Sequence, residues 1–211
     1  MAEETFIRDI YLDSIGKSLR IHQLSEGDVG GVVWDGALVL GKYIDKRQSL
    51  LQWNADSSIL ELGAGTGAVG LITSCFGNNV ILTDLPELIP LMKKNVHENG
   101  PVLKGKVEIR SLQWGSCATI EKADLILMSE CVYYEKAMEP LVHTMTDLSG
   151  PHTQILLSYE VRENEANATT LAKFLELTKK TFVIKEVPLQ DHHPEFRSDD
   201  IRILNLFLKQ P

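Results

Sequence analysis

Residues Ile59–Gly70 read Ile-Leu-Glu-Leu-Gly-Ala-Gly-Thr-Gly-Ala-Val-Gly, and this stretch decides the fold. Ile59–Leu62 is a short apolar run broken by one acid, the pattern of a buried strand. The glycines at 63, 65, 67 and 70 then predict a sharp turn that opens a helix. Glycine suits that turn because the backbone bends hard and a ligand approaches where a Cβ would collide. Strand, glycine turn and helix N-terminus together form a nucleotide-cofactor pocket.

On the N-terminal side, Phe6–Leu12 and Ser18–Leu24 are β-like runs around the turn Ser14-Ile-Gly-Lys17, which predicts a hairpin within residues 5–24. Trp34–Lys46 carries Trp34, Ala37, Leu38, Leu40 and Ile44 at the spacing of a helix packed on a sheet. On the C-terminal side strands and helices alternate. Strands are expected at Val80–Thr83, Lys106–Leu112, Asp124–Ser129 and Thr153–Tyr159. Helices are expected from Thr66, from Leu85, around Met138–Leu148 (stopped by Gly150-Pro151) and near Asn164–Lys179. Pro90 falls inside the second of these and kinks it or resets its start. Alternation of this kind builds a mostly parallel α/β sheet with helices on both faces. Two final strands, Thr181–Pro188 and Ile201–Leu208, have no helix between them, so one inserts antiparallel. The whole of 1–211 reads as one domain, with a Rossmann-like core over 32–211.

Composition narrows the class. With 44 % hydrophobic and 24 % charged residues the chain is globular, and its apolar runs are too short to span a bilayer. The acidic start, Met1-Ala-Glu-Glu, is unlike a secretory signal. Cys75, Cys117 and Cys131 form no CxxC pair and read as buried free thiols, which suits the cytoplasm or nucleus. A net charge of −8 disfavours nucleic acid as partner and leans toward a basic protein or peptide.

The glycine motif by itself fits two cofactors. Gly63, Gly65 and Ala68 match the dinucleotide fingerprint, and Asp84 lies at the right distance to accept ribose hydroxyls. Both NAD and S-adenosylmethionine carry that ribose. Glu61, two residues before Gly63, favours the latter: a carboxylate there suits a methionine ammonium and repels a pyrophosphate. Trp34-Asp35 ahead of the motif points the same way. So does Ser129-Glu130-Cys-Val-Tyr133-Tyr134, which puts an acid and aromatics where a methyl acceptor would sit. No Tyr-x-x-x-Lys or comparable relay supports an oxidoreductase.

With those segments assembled, the chain resembles the seven-strand, class I S-adenosylmethionine-dependent methyltransferases of the methyltransferase-like 21 group, which are protein-lysine methyltransferases. The matching pieces are Val33-Trp34-Asp35, Glu61–Gly67, Thr83-Asp84, Trp114-Gly115 and Glu130–Tyr133. Tyr133-Tyr134-Glu135, Tyr159-Glu160 with Arg162, and Arg197–Ile201 resemble the member that acts on the valosin-containing AAA ATPase. The resemblance implies that ATPase, or another chaperone-type protein, as substrate. It also implies that Trp34 lies near the cofactor and that Gly63, Ala64 and Gly65 line its amino-acid tail. Asp84 would then bind the ribose, Trp114 the adenine face, and Ser129 the cofactor from its strand end. The family commonly has an aspartate where this chain has Glu130.

The chemistry sets its own demands. Methyl transfer to an amine is an in-line displacement, so catalysis rests on positioning and desolvation. A carboxylate beside the acceptor raises the lysine pKa, so Glu130 is assigned to orienting the amine or holding the rim, not to strong base catalysis. Tyr133 and Tyr134 are candidates for an aromatic wall against a methylated ammonium, worth ~0.5–2 kcal/mol. Tyr159-Glu160-Val-Arg162 follows the fifth strand and is placed to face the site, although by its residues alone it reads as an ordinary loop with a solvated ion pair. Asp191-His192-His193 reads as a solvated loop, with no metal. The alternatives are a methyltransferase acting on a nucleic-acid amine or a small molecule, and a cofactor-binding module without turnover.

Overall fold

A computed structural model describes residues 4–27, 29–48, 53, 56–116 and 120–210. Cys117 lies outside the described residues. Two sheets are present. Strands β1 (Thr5–Leu12) and β2 (Lys17–Leu24) form the expected antiparallel hairpin, with Thr5 opposite Leu24 and Leu12 opposite Lys17. Helix α1 (Asp35–Arg47) leads into β3 (Ile59–Leu62), then α2 (Ala68–Ser74), β4 (Val80–Asp84), α3 (Ile89–Asn99) and β5 (Val107–Ser111). The second half runs β6 (Ala123–Ser129), α4 (Met138–Asp147), β7 (Ser149–Glu160), α5 (Glu165–Thr181), β8 (Phe182–Glu186) and β9 (Ile201–Leu208).

The seven-stranded sheet has the order β5-β4-β3-β6-β7-β9-β8. Strands β3 to β7 pair in parallel, and β9 inserts antiparallel between β7 and β8. This is the Rossmann-like class I methyltransferase arrangement, with the hairpin added at the N-terminus. The order reverses between β3 and β6, so the crevice at their carboxyl ends is where a ligand is expected.

Strand alternation sorts the core into two layers. Ile59, Leu125, Leu127 and Leu156 pack with Leu40, Ile44, Leu71 and Ile72 of α1 and α2. Leu60, Leu62, Ile126, Met128 and Leu157 pack with Met138, Leu141, Met145 and Phe174 of α4 and α5. Burial on both faces is why these strands read as continuous apolar runs. No helix among the described residues is long and apolar enough to cross a membrane.

The hairpin joins this body through two asparagines one turn apart on α3. Asn95 Oδ1 accepts from His22 N (2.7 Å), while its Nδ2 donates to His22 O (3.0 Å) and Thr66 O (2.9 Å). Asn99 repeats the pattern on Arg20 N and O. Buried amides thus satisfy an open edge of β2 with side chains in place of a third strand.

Two local expectations are refined. Pro90 resets the helix: Pro86–Leu88 is a 3-10 turn and α3 starts at Ile89, so Pro90 sits in its first turn, where no N–H is needed. Gly150-Pro151 does not stop α4, which ends at Asp147, but lies inside β7. The pairing of β6 with β7 shifts register there, and Thr153 Oγ1 bridges Gly150 N and Ala123 O, so the proline occupies a bulge.

The expectation of a solvated histidine loop is wrong. His192 is buried, edge-on to Tyr43, with Nε2 3.2 Å from Val187 O; burial lowers its pKa. His193 Nε2 lies 3.3 Å from Asp13 Oδ2. The reason is local: Lys46 Nζ donates to His192 O (2.7 Å) and Arg47 pairs with Asp191, drawing the loop onto the last turn of α1. No group of three or more metal-ligating side chains occurs among the described residues.

Candidate active site

The glycine turn follows β3 directly. Gly63, Gly65 and Gly67 all have positive φ, and Gly65 at +54° also passes so close to the chain that its Cβ would lie 2.6 Å from Gly30 O. At Gly63 a Cβ would meet Cys131 Sγ at 2.9 Å and the Trp114 ring at 3.1 Å. The motif is glycine-rich because Gly30 on one side and Trp114 and Cys131 on the other close over it.

Two acids brace that turn. Asp84, ending β4, accepts from Gly65 N and Leu85 N, both at 2.7 Å. Glu61 is buried in β3, and its Oε2 accepts from Gly70 N at 2.8 Å. Burial drives its pKa to about 8, against the Gly70 N–H and with some help from the Asp84 charge. Burial thus favours the neutral carboxyl in the empty cavity, and a cation placed beside it would favour the carboxylate.

The opposite wall comes from the end of β6. Ser129 is half-buried at the strand terminus, and Glu130 then takes a left-handed backbone conformation, φ +53°, the one described non-glycine residue to do so. That turn swings its side chain inward against the N-terminus of α1. Ser158, buried in β7, holds both pieces: its carbonyl accepts from Glu130 N (2.9 Å) and its hydroxyl donates to Gly36 O (2.8 Å). A Cβ on Gly36 would lie 2.0 Å from Glu130 Oε1. Glu130 Oε1 is buried with no hydrogen-bond partner, and desolvation raises the carboxyl pKa to about 7 against the pull of Arg162.

Tyr133 and Tyr134 stand on the rim, 39 % and 65 % exposed, with rings 5.5 Å apart at 78°. Neither packs in the core. Trp34 precedes α1, donates from Nε1 to Val29 O (2.8 Å) and remains 38 % exposed. It is a rim residue and not an anchor of helix to sheet.

All of these side chains line one cavity of about 550 Å³: Trp34, Glu61, Gly63, Ala64, Gly65, Asp84, Trp114, Ser129, Glu130, Tyr133 and Tyr134. The structure therefore brings every candidate site residue together around one cavity, with Trp34, Tyr133 and Tyr134 exposed at its rim. It adds residues that the sequence reading passed over. Cys131 sits on the wall with its thiol toward Leu62 O, and Gly36 gives space to Glu130. A lone glycine inside a helical pattern was the available signal for Gly36. Arg162, expected as half of an ion pair, contacts two acids and places its guanidinium 5.2 Å from the Trp34 ring centre.

A family model described as lysine methyltransferase matches residues 14–180. The chain belongs to the lysine methyltransferase family. Within its reach are protein N-lysine methyltransferase METTL21A of Xenopus tropicalis, 34 % identical over 184 residues (86 % of this chain, 79 % of that protein). EEF1A lysine methyltransferase 3 of Mus musculus is 33 % identical and covers 82 % of this chain and 79 % of its own. Among solved structures, the glycopeptide N-methyltransferase MtfA complexed with S-adenosyl-L-methionine superposes with a TM-score of 0.64 at 12 % identity, over 81 % of this chain and 94 % of that one. At that identity the likeness is one of fold. The family's S-adenosylmethionine fits this cavity in kind: a buried acid at the base, a second acid at the end of β4, and a wide indole wall at Trp114.

Proposed function

We propose that the protein is a single-domain protein-lysine N-methyltransferase that uses S-adenosylmethionine and acts in the cytoplasm or nucleus. Its first candidate substrate is the valosin-containing AAA ATPase, with other chaperone-type proteins next. The observation that carries the acceptor assignment is Glu130: a buried carboxyl with one unpartnered oxygen, beside two tyrosines at the mouth of the cavity.

When bound, S-adenosylmethionine supplies a sulfonium methyl that passes to the lysine nitrogen, leaving S-adenosyl-L-homocysteine. In this reading Glu61 receives the ammonium of the cofactor, Gly63–Gly65 border its tail, Asp84 accepts from the ribose hydroxyls and Trp114 covers the purine. Ser129 and Trp34 close the sides. Glu130 accepts an N–H of the incoming lysine and orients it, while Tyr133 and Tyr134 flank its aliphatic stem. A free lysine is less than ~0.1 % neutral at pH 7, so exclusion of water at this mouth is part of catalysis. The nuclear or cytoplasmic assignment is supported by the buried, unpaired Cys75 and Cys131. The choice of the ATPase is supported by the sequence resemblance of 133–135, 159–162 and 197–201.

The test is transfer of radiolabelled methyl groups by the purified protein to that ATPase and to a lysate, with Asp84→Ala as control. A labelled ATPase band that maps to lysine and vanishes in the control supports the full reading. Label on another protein's lysine keeps the chemistry and removes the substrate. Cofactor binding without transfer overturns the proposal in favour of a binding module.

A further inference from the structure

Arg162 has no assigned role, yet it stands at the junction of three elements. Its Nε donates to Glu160 Oε2 at 2.7 Å, its Nη2 lies 3.5 Å from Glu130 Oε2, and its guanidinium sits 5.2 Å from the Trp34 ring. Glu160 thus holds the planar fork in place, and the fork reaches across to the carboxyl that the left-handed turn at Glu130 has pushed inward. We propose that Arg162 is the positioning residue for Glu130: it fixes that carboxyl at the mouth of the cavity. The inference rests on the reading of Glu130 given above.

The electrostatic argument is direct. Three groups face Glu130: Arg162 and Glu160 from the end of β7, and Asp35 from the first turn of α1. Burial and the two acidic side chains favour the protonated carboxyl; Arg162, the cation in that set, opposes them most, with a smaller contribution from the backbone N–H of Glu160. A guanidinium keeps its charge throughout the working pH range, so the opposition is constant. Its contact with Trp34 gives it a third fixed point, an arrangement a lysine ammonium copies as charge but not as a fork. Without Arg162, Glu130 would bind its proton more tightly and offer the lysine a weaker acceptor.

The experiment compares the full-length wild type with Arg162→Met and Arg162→Lys. First, the Glu130 carboxyl is titrated by 13C NMR, identified by its loss in Glu130→Gln; the midpoint in R162M is expected to rise by about one unit or more. Second, kcat/KM is followed from pH 6.5 to 9.5. The R162M deficit is expected to be about tenfold at pH 7 and to close toward about twofold at pH 9.5, where the carboxyl ionises in both proteins. R162K should recover most of the neutral-pH loss. An unmoved NMR midpoint overturns the inference, and so does a deficit that is flat with pH, as a structural role would give. A wild type that transfers nothing removes the catalytic reading of Glu130, while the titration still decides the link between Arg162 and Glu130.

Discussion

Gly36→Ala isolates the placement of Glu130 from every other property of the site. The added Cβ would sit 2.0 Å from Glu130 Oε1, 2.9 Å from Cδ and 3.1 Å from Cγ. Ordinary contact begins at 3.4 Å, so the oxygen must retreat by about 1.4 Å. The neighbour is the end of a side chain bordered by an open cavity, so the carboxyl yields and the helix does not. A misplacement on the order of 1 Å costs about 10²-fold in rate, or roughly 2.7 kcal/mol of activation free energy. Stability should hardly move, because alanine in place of glycine favours the helix by up to ~1 kcal/mol and offsets the rearrangement. At this chain length that corresponds to a Tm change within about 4 °C. The assay is kcat at saturating cofactor and acceptor, with Tm by scanning fluorimetry and cofactor affinity by calorimetry. Loss of turnover with both controls intact is expected. A kcat within twofold of wild type refutes the argument, as does a Tm fall of more than 10 °C, which would mean that the helix gives way instead.

Three further outcomes are expected. Glu61 and Glu130 both bind their protons more tightly when folded than near the ordinary 4.5, with pKa about 8 and about 7. The cofactor-free protein is therefore favoured at low pH and loses that stabilisation as pH rises through 4.5 toward 7–8, so its Tm should fall over that window and Glu61→Gln should flatten the slope; a wild-type Tm that rises from pH 5 to 8 contradicts the assignment. Asp84→Asn replaces an oxygen acceptor in the clamp on Gly65 and Leu85 and should weaken S-adenosylmethionine binding by at least tenfold in calorimetry, about 1–3 kcal/mol for an amide N–H left unmet. Asn95→Ala removes three buried hydrogen bonds between α3, β2 and the glycine turn and should lower stability in urea by about 2–4 kcal/mol; a change below 0.5 kcal/mol would mean that the hairpin is held by other contacts.

The local order of elements was legible because each depends on neighbours in the chain. Ile59–Gly70 announced strand, turn and helix through apolar patterning and glycines, and the absence of a helix between the last two strands announced the antiparallel insertion. The two acids that brace the glycine turn were legible for the same reason: Glu61 and Asp84 stand at fixed steps from that turn, on strands whose direction is set by the fold. What lay beyond the sequence depends on contacts between segments far apart in it. No pattern near His192 shows that Lys46 and Arg47 will draw its loop onto α1, nor near Asn95 that its amide will cap a hairpin seventy-three positions away. At the acceptor mouth, Gly36, Glu130, Ser158 and Arg162 come from four separate stretches and acquire meaning only from their meeting. Periodicity and turn chemistry act over a few residues, so the sequence by itself determined the fold class and the glycine turn with the two acids beside it. The charge state and aim of Glu130 arise from burial and from partners across the sheet, and those only the tertiary structure decided.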